Sequence, residues 1–466
     1  MIAARVSRTL CLLSLIALTL TACGAATPAP TTAPPPTATV VPTLTEKPTA
    51  AAEPAATAAP ATVAPTATPV PAPTATDAPA PLIPAADEAT TRITVPVGFH
   101  ITVFAEGLPG ARFLAFGPDG ALYVSLMGTG RIARLPDADE DGRADAVEIA
   151  AEGLSTPHGL EWHEGWLYVA ELDRLERLRD EDGDGVLEQR ELVTDNLPGG
   201  GGHRSRTVHF GPDGMIYVAA GSSCNICVEE DPRRAAILRF APDGSIPADN
   251  PFADDPDPRR QAVWAEGLRN SVDFLFLPDG RLWANENGSD GLGDNVPPEA
   301  AVIEIEPGRH YGWPYCYTPV VGANLPPDQQ AEVRDDRMDL PAGFDCSQAV
   351  PALFTDPAHS APLGMTLVES GNFPAEYQGD LLEGYHGSWN TTAASIRDCK
   401  VRRIVVEEGL PVSAEDFATG WRAEGQPCGS AGSYGRPVDV VFAPDGALYI
   451  SDDLGNRVYR VVYMGE

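Results

Sequence analysis

Apolar and polar residues alternate in short runs through the C-terminal four-fifths of the chain, and a Pro-Asp-Gly turn repeatedly interrupts them. The same phrase returns as FGPDGALYVS from Phe116, FGPDGMIYVAAG from Phe210, FLPDGRLWANENG from Phe276 and FAPDGALYISDD from Phe442. A short apolar run, a tight turn and a second run rich in Tyr, Val and Ile read as a β-hairpin. Two weaker copies, LEWHEGWLYVAE from Leu160 and the stretch from MTLVESGNFP to GDLLEGYHG, fill the gaps. Six such units predict an all-β fold, a six-bladed β-propeller of four-stranded antiparallel blades. Their uneven spacing implies insertions, the largest between the fourth and fifth units. HITVFAEGL, near the start of the repeats, is expected to supply the strand that closes the ring against the last blade.

What precedes each hairpin is also regular. Arg112, His158, His203 with Arg206, Arg269-Asn270, His359 and Arg436 stand before the six units in turn. Equivalent positions of propeller blades converge on one axis, so this register predicts a ring of Arg and His around one channel mouth. The chain as a whole has Lys+Arg 32 against Asp+Glu 66, a net charge of −34, which argues against a nucleic-acid partner. Cations gathered in one place on so acidic a chain point to an anionic ligand, and planar carboxylates suit the guanidinium fork. The competing reading is that these residues cap blade turns or pair with acidic neighbours. One of them follows an unusual stretch, GGGGHRSR at 199–206, where four glycines mark either a tight exposed loop or a close approach of backbone.

The ends bound the folded part. Residues 1–23 pair Arg5 and Arg8 with the apolar run LCLLSLIALTL and then Leu20-Thr21-Ala22-Cys23, a secretory signal with a lipobox-like end. Residues 24–91 are mostly Ala, Pro and Thr and cannot bury a core, which makes them a semi-extended tether. The expectation is an exported, cell-surface or periplasmic protein held to the membrane only by a lipid on Cys23, with the propeller at 92–466. Six further cysteines in an exported chain read as disulfides. Neighbours in sequence suggest Cys224–Cys227, Cys316–Cys346 and Cys399–Cys428, among fifteen formal pairings. CNICV lacks the histidine of a c-type haem site, and no second CxxC points to zinc.

VGFHITVFAEGL, GGGGHRSRTVHFGPDGMIYVAAGSSCNIC, AEGLRNSVDFLFLPDGRLWANENG, HYGWP, HSAPLGM, YHGSWN and GRPVDVVFAPDGALYISDD together resemble the sugar dehydrogenases that use pyrroloquinoline quinone (PQQ). L-sorbosone dehydrogenase is the nearer branch and soluble glucose dehydrogenase the more distant. The resemblance implies a six-bladed propeller with PQQ, a planar tricarboxylate, above the channel, and oxidation of a sugar or related alcohol or aldehyde by hydride transfer to the quinone. Electrons would pass to an external acceptor, a quinone or cytochrome. By the family pattern His203 is the general base and Arg269 polarises the quinone carbonyl. Asn270 and Arg436 match cofactor-binding positions, and His158 and His359, from the cationic register, join them as candidates. Asn287 with the carbonyls of Gly288 and Ser289 matches the loop that holds Ca²⁺ against the cofactor. The sequence departs from the pattern twice. Gly202 stands where soluble glucose dehydrogenase has an aspartate before its histidine, and HGSWN has no lysine where that enzyme binds the cofactor with one, leaving His386, Trp389 or Lys400 as substitutes.

Two acidic stretches match the ligand spacing of EF-hand loops. DADEDGRADAVE offers Asp137, Asp139, Asp141, Asp145 and Glu148, and DEDGDGVLEQRE offers Asp180, Asp182, Asp184, Glu188 and Glu191. Their flanks read as strands, so the alternatives are structural Ca²⁺ sites on hairpin loops or solvated Asp-Gly turns. Two rival functions stay in view: a Ca²⁺-dependent lactonase-type hydrolase, which needs acidic residues to dominate the mouth, and a non-catalytic surface propeller that binds glycan or protein.

Overall fold

The computed structural model describes residues 83–323 and 332–465; the signal, Cys23 and the tether up to residue 82 lie outside them. Six antiparallel sheets form the six blades. Blade 1 runs Ala111–Phe116, Leu122–Leu126, Arg131–Leu135 and Glu148–Glu152, blade 2 Leu160–His163 to Gln189–Thr194, and blade 3 Arg206–Phe210 to Val263–Glu266. Blade 5 runs from Pro362–Leu367 to Leu410–Ala418. In blade 6, Pro437–Phe442, Leu448–Asp452 and Arg457–Tyr463 are completed by Phe99–Glu106 from the start of the domain, which pairs antiparallel with Arg457–Tyr463. The ring therefore closes as expected, by the strand of HITVFAEGL. Blade 4 differs from the simple hairpin reading. Its fourth strand, Phe354–Asp356, arrives only after the long insertion, which also adds Gly322–Ala323 to the same sheet.

The folded body begins before Arg92. Asp87 caps a short helix, Glu88–Arg92, and its other oxygen accepts from Val103 N at 2.8 Å, while Ala89 is fully buried. The three cysteine pairs are Cys224–Cys227, Cys316–Cys346 and Cys399–Cys428, the pairing of sequence neighbours.

The repeat has a local physical cause. Each Pro-Asp-Gly glycine sits at positive φ, 80° at Gly120, 73° at Gly214, 89° at Gly280 and 85° at Gly446, where a side chain is strained. In blades 1 and 3 the turn aspartate receives the hydroxyl of the tyrosine on the next strand, Tyr123 or Tyr217, and an arginine of the third strand, Arg134 or Arg239, at 2.8 Å. In blade 6 Arg460 bonds both Asp445 and Tyr449. The repeated phrase thus supplies the Asp and Tyr of an Asp–Tyr–Arg clasp on each of these blades.

Nearer the axis, side chains stitch blade to blade. Ser125 of blade 1 donates to His158 O ahead of blade 2 at 2.7 Å, Ser451 of blade 6 donates to Arg112 O, and Asn285 of blade 4 donates to Leu363 O of blade 5. Deeper still, His209 lies between Glu161 at 2.7 Å and Asp273 at 3.0 Å. Burial opposes charge on this imidazole, but the two carboxylates outweigh it and raise it to about 10.

At the seam Phe99 packs its ring 4.9 Å from Phe373, 5.1 Å from Phe417 and 5.0 Å from Tyr463. Phe99→Ala is expected to cost about 3–5 kcal/mol and to lower the melting temperature, read by calorimetry; a change too small to measure would mean the closing strand is held by its backbone pairing alone.

Candidate functional site

The glycine-rich loop folds back on the segment after the second strand of blade 3. Gly202 N donates to Ser223 O at 2.8 Å and His203 N to Ser222 O at 3.1 Å. A Cβ on Gly202 would lie 3.0 Å from Ser223 O, so the glycine permits a close approach of two backbones. Arg206, expected in the cationic ring, is instead fully buried and donates to Pro198 O and Ser205 O, each at 2.6 Å, and to His203 O at 3.2 Å. It is the brace of the loop that carries His203.

His203 is oriented by a residue the sequence reading passed over. Its Nδ1 lies 2.9 Å from Ser222 Oγ and 3.2 Å from Ser222 O. The Ser222 hydroxyl spends its proton on Cys224 O at 2.6 Å, so Oγ can only accept and Nδ1 carries the imidazole hydrogen. Among the described residues Nε2 meets no hydrogen-bond partner, which leaves its lone pair for a substrate. Burial, and then the charge of Arg269, lower this imidazole to about 4.

Asn270 and Arg269 stand opposite. A Cβ on Gly221 would come 2.5 Å from Asn270 Oδ1 and 2.6 Å from His203 Cβ, so the two predicted residues face each other across a glycine. Asn270 Oδ1 is buried without a hydrogen-bond partner. Arg269 is 6 % exposed and gives Nε to Asn225 O, Nη2 to Asn225 Oδ1 and Nη1 to Asn287 O, at 2.9, 2.9 and 3.0 Å. Asn287 itself donates Nδ2 to Pro362 O at 2.8 Å. Gly288 N is held by Glu299 and Ser289 Oγ by Arg337, while among the described residues the carbonyls of Gly288 and Ser289 accept no hydrogen bond. Burial pushes the supporting carboxyls up, Glu286 to about 8 and Glu299 to about 7. His359 joins this side, with Nδ1 3.2 Å from Asp290 and its backbone N–H on Glu299 at 2.9 Å.

A second cluster crosses the seam of the ring. Asp453 receives Arg112 Nη1 and pairs with His386 Nε2, each at 3.0 Å, and Arg436 Nε donates to His386 O at 2.9 Å. The charges of His386, Arg112 and Arg436 hold Asp453 well below the usual carboxylate range against its burial. His158 is placed behind this cluster and not on an open surface. It is fully buried against the ring of Phe113, with Nε2 3.4 Å from Arg112 Nη2 and Nδ1 3.3 Å from Arg206 O. Of the substitutes for the lysine, His386 is in the cluster, Trp389 is 71 % exposed, and Lys400 is spent on Asp416 at 2.6 Å.

The acidic loops are only partly assembled. Asp180, Asp182, Asp184 and Glu188 point ligand atoms at one locus, as do Asp137, Asp139 and Asp141. Asp145 instead accepts from Ala138 N at 2.7 Å. Glu148 and Glu191, the expected twelfth ligands, sit on strands and pair with Arg134 and Arg177. In an EF-hand the following helix would bring that residue back; a strand carries it away.

A sequence model described as "Glucose / Sorbosone dehydrogenase" matches residues 169–460. The chain belongs to the glucose/sorbosone dehydrogenase family. A domain model of unknown function overlaps it at residues 85–250. Aldose sugar dehydrogenase YliI of Escherichia coli is 24% identical over 402 residues, 80% of this chain and 95% of that one. Among solved structures, the PQQ domain of pyranose dehydrogenase from Coprinopsis cinerea, in its holo form, aligns with a TM-score of 0.63 at 22% identity, over 79% of this chain and 97% of its own. The calcium structure of a Trichoderma reesei family AA12 enzyme aligns at 0.65 and 19% identity, over 80% and 97%. These structures share the fold. In this member of the family the residues that sequence missed, Ser222, Asn225, Asp290 and Asp453, lie beside the ones it found; GSSCNIC was informative for its cysteines, and its polar residues do the orienting.

Gly221→Ala tests the facing of His203 and Asn270. Its φ is ordinary, so the added methyl acts by crowding alone, at about 1–3 kcal/mol. The expected result is a displaced His203, seen as a shifted imidazole resonance, with a modest loss of melting temperature; an unmoved resonance would place His203 and Asn270 farther apart than described.

Proposed function

We propose that this protein oxidises a sugar, or a related alcohol or aldehyde, with PQQ and Ca²⁺ bound over His203 and Arg269. The observation that carries the reading is the pairing, among the described residues, of an imidazole whose Nε2 has no hydrogen-bond partner with a buried arginine whose nearest carboxylate oxygen is 3.7 Å away, on Asp290. Arg269, with N–H groups left after three hydrogen bonds, suits a carboxylate, and three acceptors without a partner among the described residues, Asn270 Oδ1 and the Gly288 and Ser289 carbonyls, suit a hard metal ion. Arg112 and Arg436 supply further cations at the seam.

PQQ, when bound, supplies the acceptor for the substrate's hydride. His203 does the proton work: with Nδ1–H fixed on Ser222, Nε2 accepts the proton of the substrate hydroxyl as the C–H bond is broken. Arg269 meets negative charge as it develops opposite, and Asn287, Gly288 and Ser289 would hold Ca²⁺. Export, the lipid on Cys23 and an external quinone or cytochrome acceptor belong to the same proposal.

Calorimetric titration of the Ca²⁺-treated protein with PQQ, followed by turnover of a panel of aldoses with an artificial electron acceptor, tests it. Calcium-dependent binding with dye reduction is expected, and absence of binding at micromolar cofactor would refute it. His203→Ala should lower kcat by about 10²–10⁴ with cofactor affinity nearly unchanged; preserved turnover would remove His203 as the base. Because the base works deprotonated and its imidazole is lowered to about 4, kcat/KM should hold from neutral pH down and fall only as pH drops through about 4. A limb near 6.5 instead would show that burial and Arg269 do not act on it.

A further inference from the structure

Asn225 lies between the two half-cystines of the Cys224–Cys227 disulfide and is exposed, yet its polar groups are spent on protein. Its backbone oxygen accepts Arg269 Nε at 2.9 Å and Trp313 Nε1 at 3.3 Å. Its Oδ1 accepts Arg269 Nη2 at 2.9 Å and Asp290 N at 2.8 Å, and its Nδ2 donates to Asp290 O at 2.9 Å. One residue therefore grips Arg269 along one edge with two oxygens and pairs with Asp290 as a strand would. Water could satisfy an exposed amide at no cost, so satisfaction alone does not account for the arrangement.

The chemistry of the grip matters. Carbonyl and amide oxygens fix the plane of a guanidinium without neutralising it, whereas a carboxylate would do both. Neighbouring blade arginines are held by carboxylates, Arg402 by Asp356 at 2.9 Å and Arg403 by Asp380 at 2.6 Å, whereas the loop brace Arg206 is held by backbone carbonyls. Arg269, more deeply buried than either, takes its hydrogen bonds from Asn225 and Asn287 oxygens, with the Asp290 carboxylate farther off at 3.7 Å. We propose that Asn225 is a positioning residue that orients Arg269 and locks it to the loop of Asp290, and that the Cys224–Cys227 disulfide is the strap that keeps Asn225 in place. The inference rests on the dehydrogenase reading for what Arg269 is oriented towards, but not for the grip itself.

The grip is tested first in cofactor-free protein by amide hydrogen exchange of wild type, Asn225→Leu and the Cys224→Ser/Cys227→Ser double variant. Both variants should speed exchange in residues 222–227 and 287–291 together, with melting temperatures within about 2 °C of wild type. Faster exchange in 222–227 alone would overturn the coupling of the two loops. Next, PQQ affinity is measured for Asn225→Leu, Arg269→Ala and both together. Asn225→Leu alone should weaken binding about 10- to 100-fold, as loss of a supporting partner does, and should add little in the Arg269→Ala background. Asn225→Asp keeps both oxygens on Arg269 but adds charge and loses the Nδ2 donor to Asp290 O, and should weaken PQQ binding and speed exchange in 287–291. Additive losses would mean that Asn225 does not act through Arg269. Wild type that binds no PQQ would defeat the dehydrogenase reading, and the exchange result would still decide the grip.

Discussion

Closure of the ring by the pairing of Phe99–Glu106 with Arg457–Tyr463 is the constraint on which the other features depend. An open array of six hairpins would leave its first and last inner strands apart. Closed, it sets Arg112 of the first blade against Asp453 of the last, 341 residues away in sequence. The seam cluster exists only in the closed ring, and so does the stitch from Ser451 to Arg112 O. The aromatic packing around Phe99 thus bears on the site as well as on stability, because loss of the seam would release Asp453 and with it His386.

Charge is distributed by two different physical rules. On the blades, arginine is matched by carboxylate and the pair is structural, as in the Asp–Tyr–Arg clasps. At the mouth Arg112, Arg269 and Arg436 stand beside Asp453 and Asp290, and two further acids are muted: burial raises Glu286 and Glu299 toward neutrality, so near pH 7 they hold hydrogen bonds while shedding part of their negative charge. In the function proposed above, this muting would leave the arginines to meet an anion on a chain of net charge −34 that has no lysine at HGSWN.

What could be read from sequence was local chemistry repeated in register. Pro-Asp-Gly needs no tertiary partner to make its turn, so six hairpins, and hence the propeller, were legible; so was the convergence of His203, Arg269 and Asn270, because equivalent positions of blades meet by geometry. Roles set by tertiary contact were not. Arg206 occupies the register of a ligand-binding cation but turns inward to brace the glycine loop, and His158 backs Arg112 from within the wall. Glu148 and Glu191 keep EF-hand spacing yet are carried onto strands, where Arg134 and Arg177 claim them. Ser222 and Asn225 left no signal beyond their place in a CxxC loop, since an orienting hydroxyl and an amide grip are defined by what they face.

That a serine, and not a carboxylate, orients His203 has a physical consequence for the reaction proposed above. A carboxylate on Nδ1 orients the imidazole and also stabilises its protonated form, raising its pKa. Ser222 orients it through a neutral oxygen whose proton is committed to Cys224 O, so burial and Arg269 act on His203 unopposed by a hydrogen-bonded carboxylate. In the proposed reaction His203 would be a base that is ready over a wide pH range but weakly basic. A weak base takes a proton only as the substrate oxygen surrenders its electrons, which couples proton removal to loss of the hydride and places more of the demand on the charge facing it. That is the task for which Arg269, gripped by neutral oxygens and left with its charge, is suited.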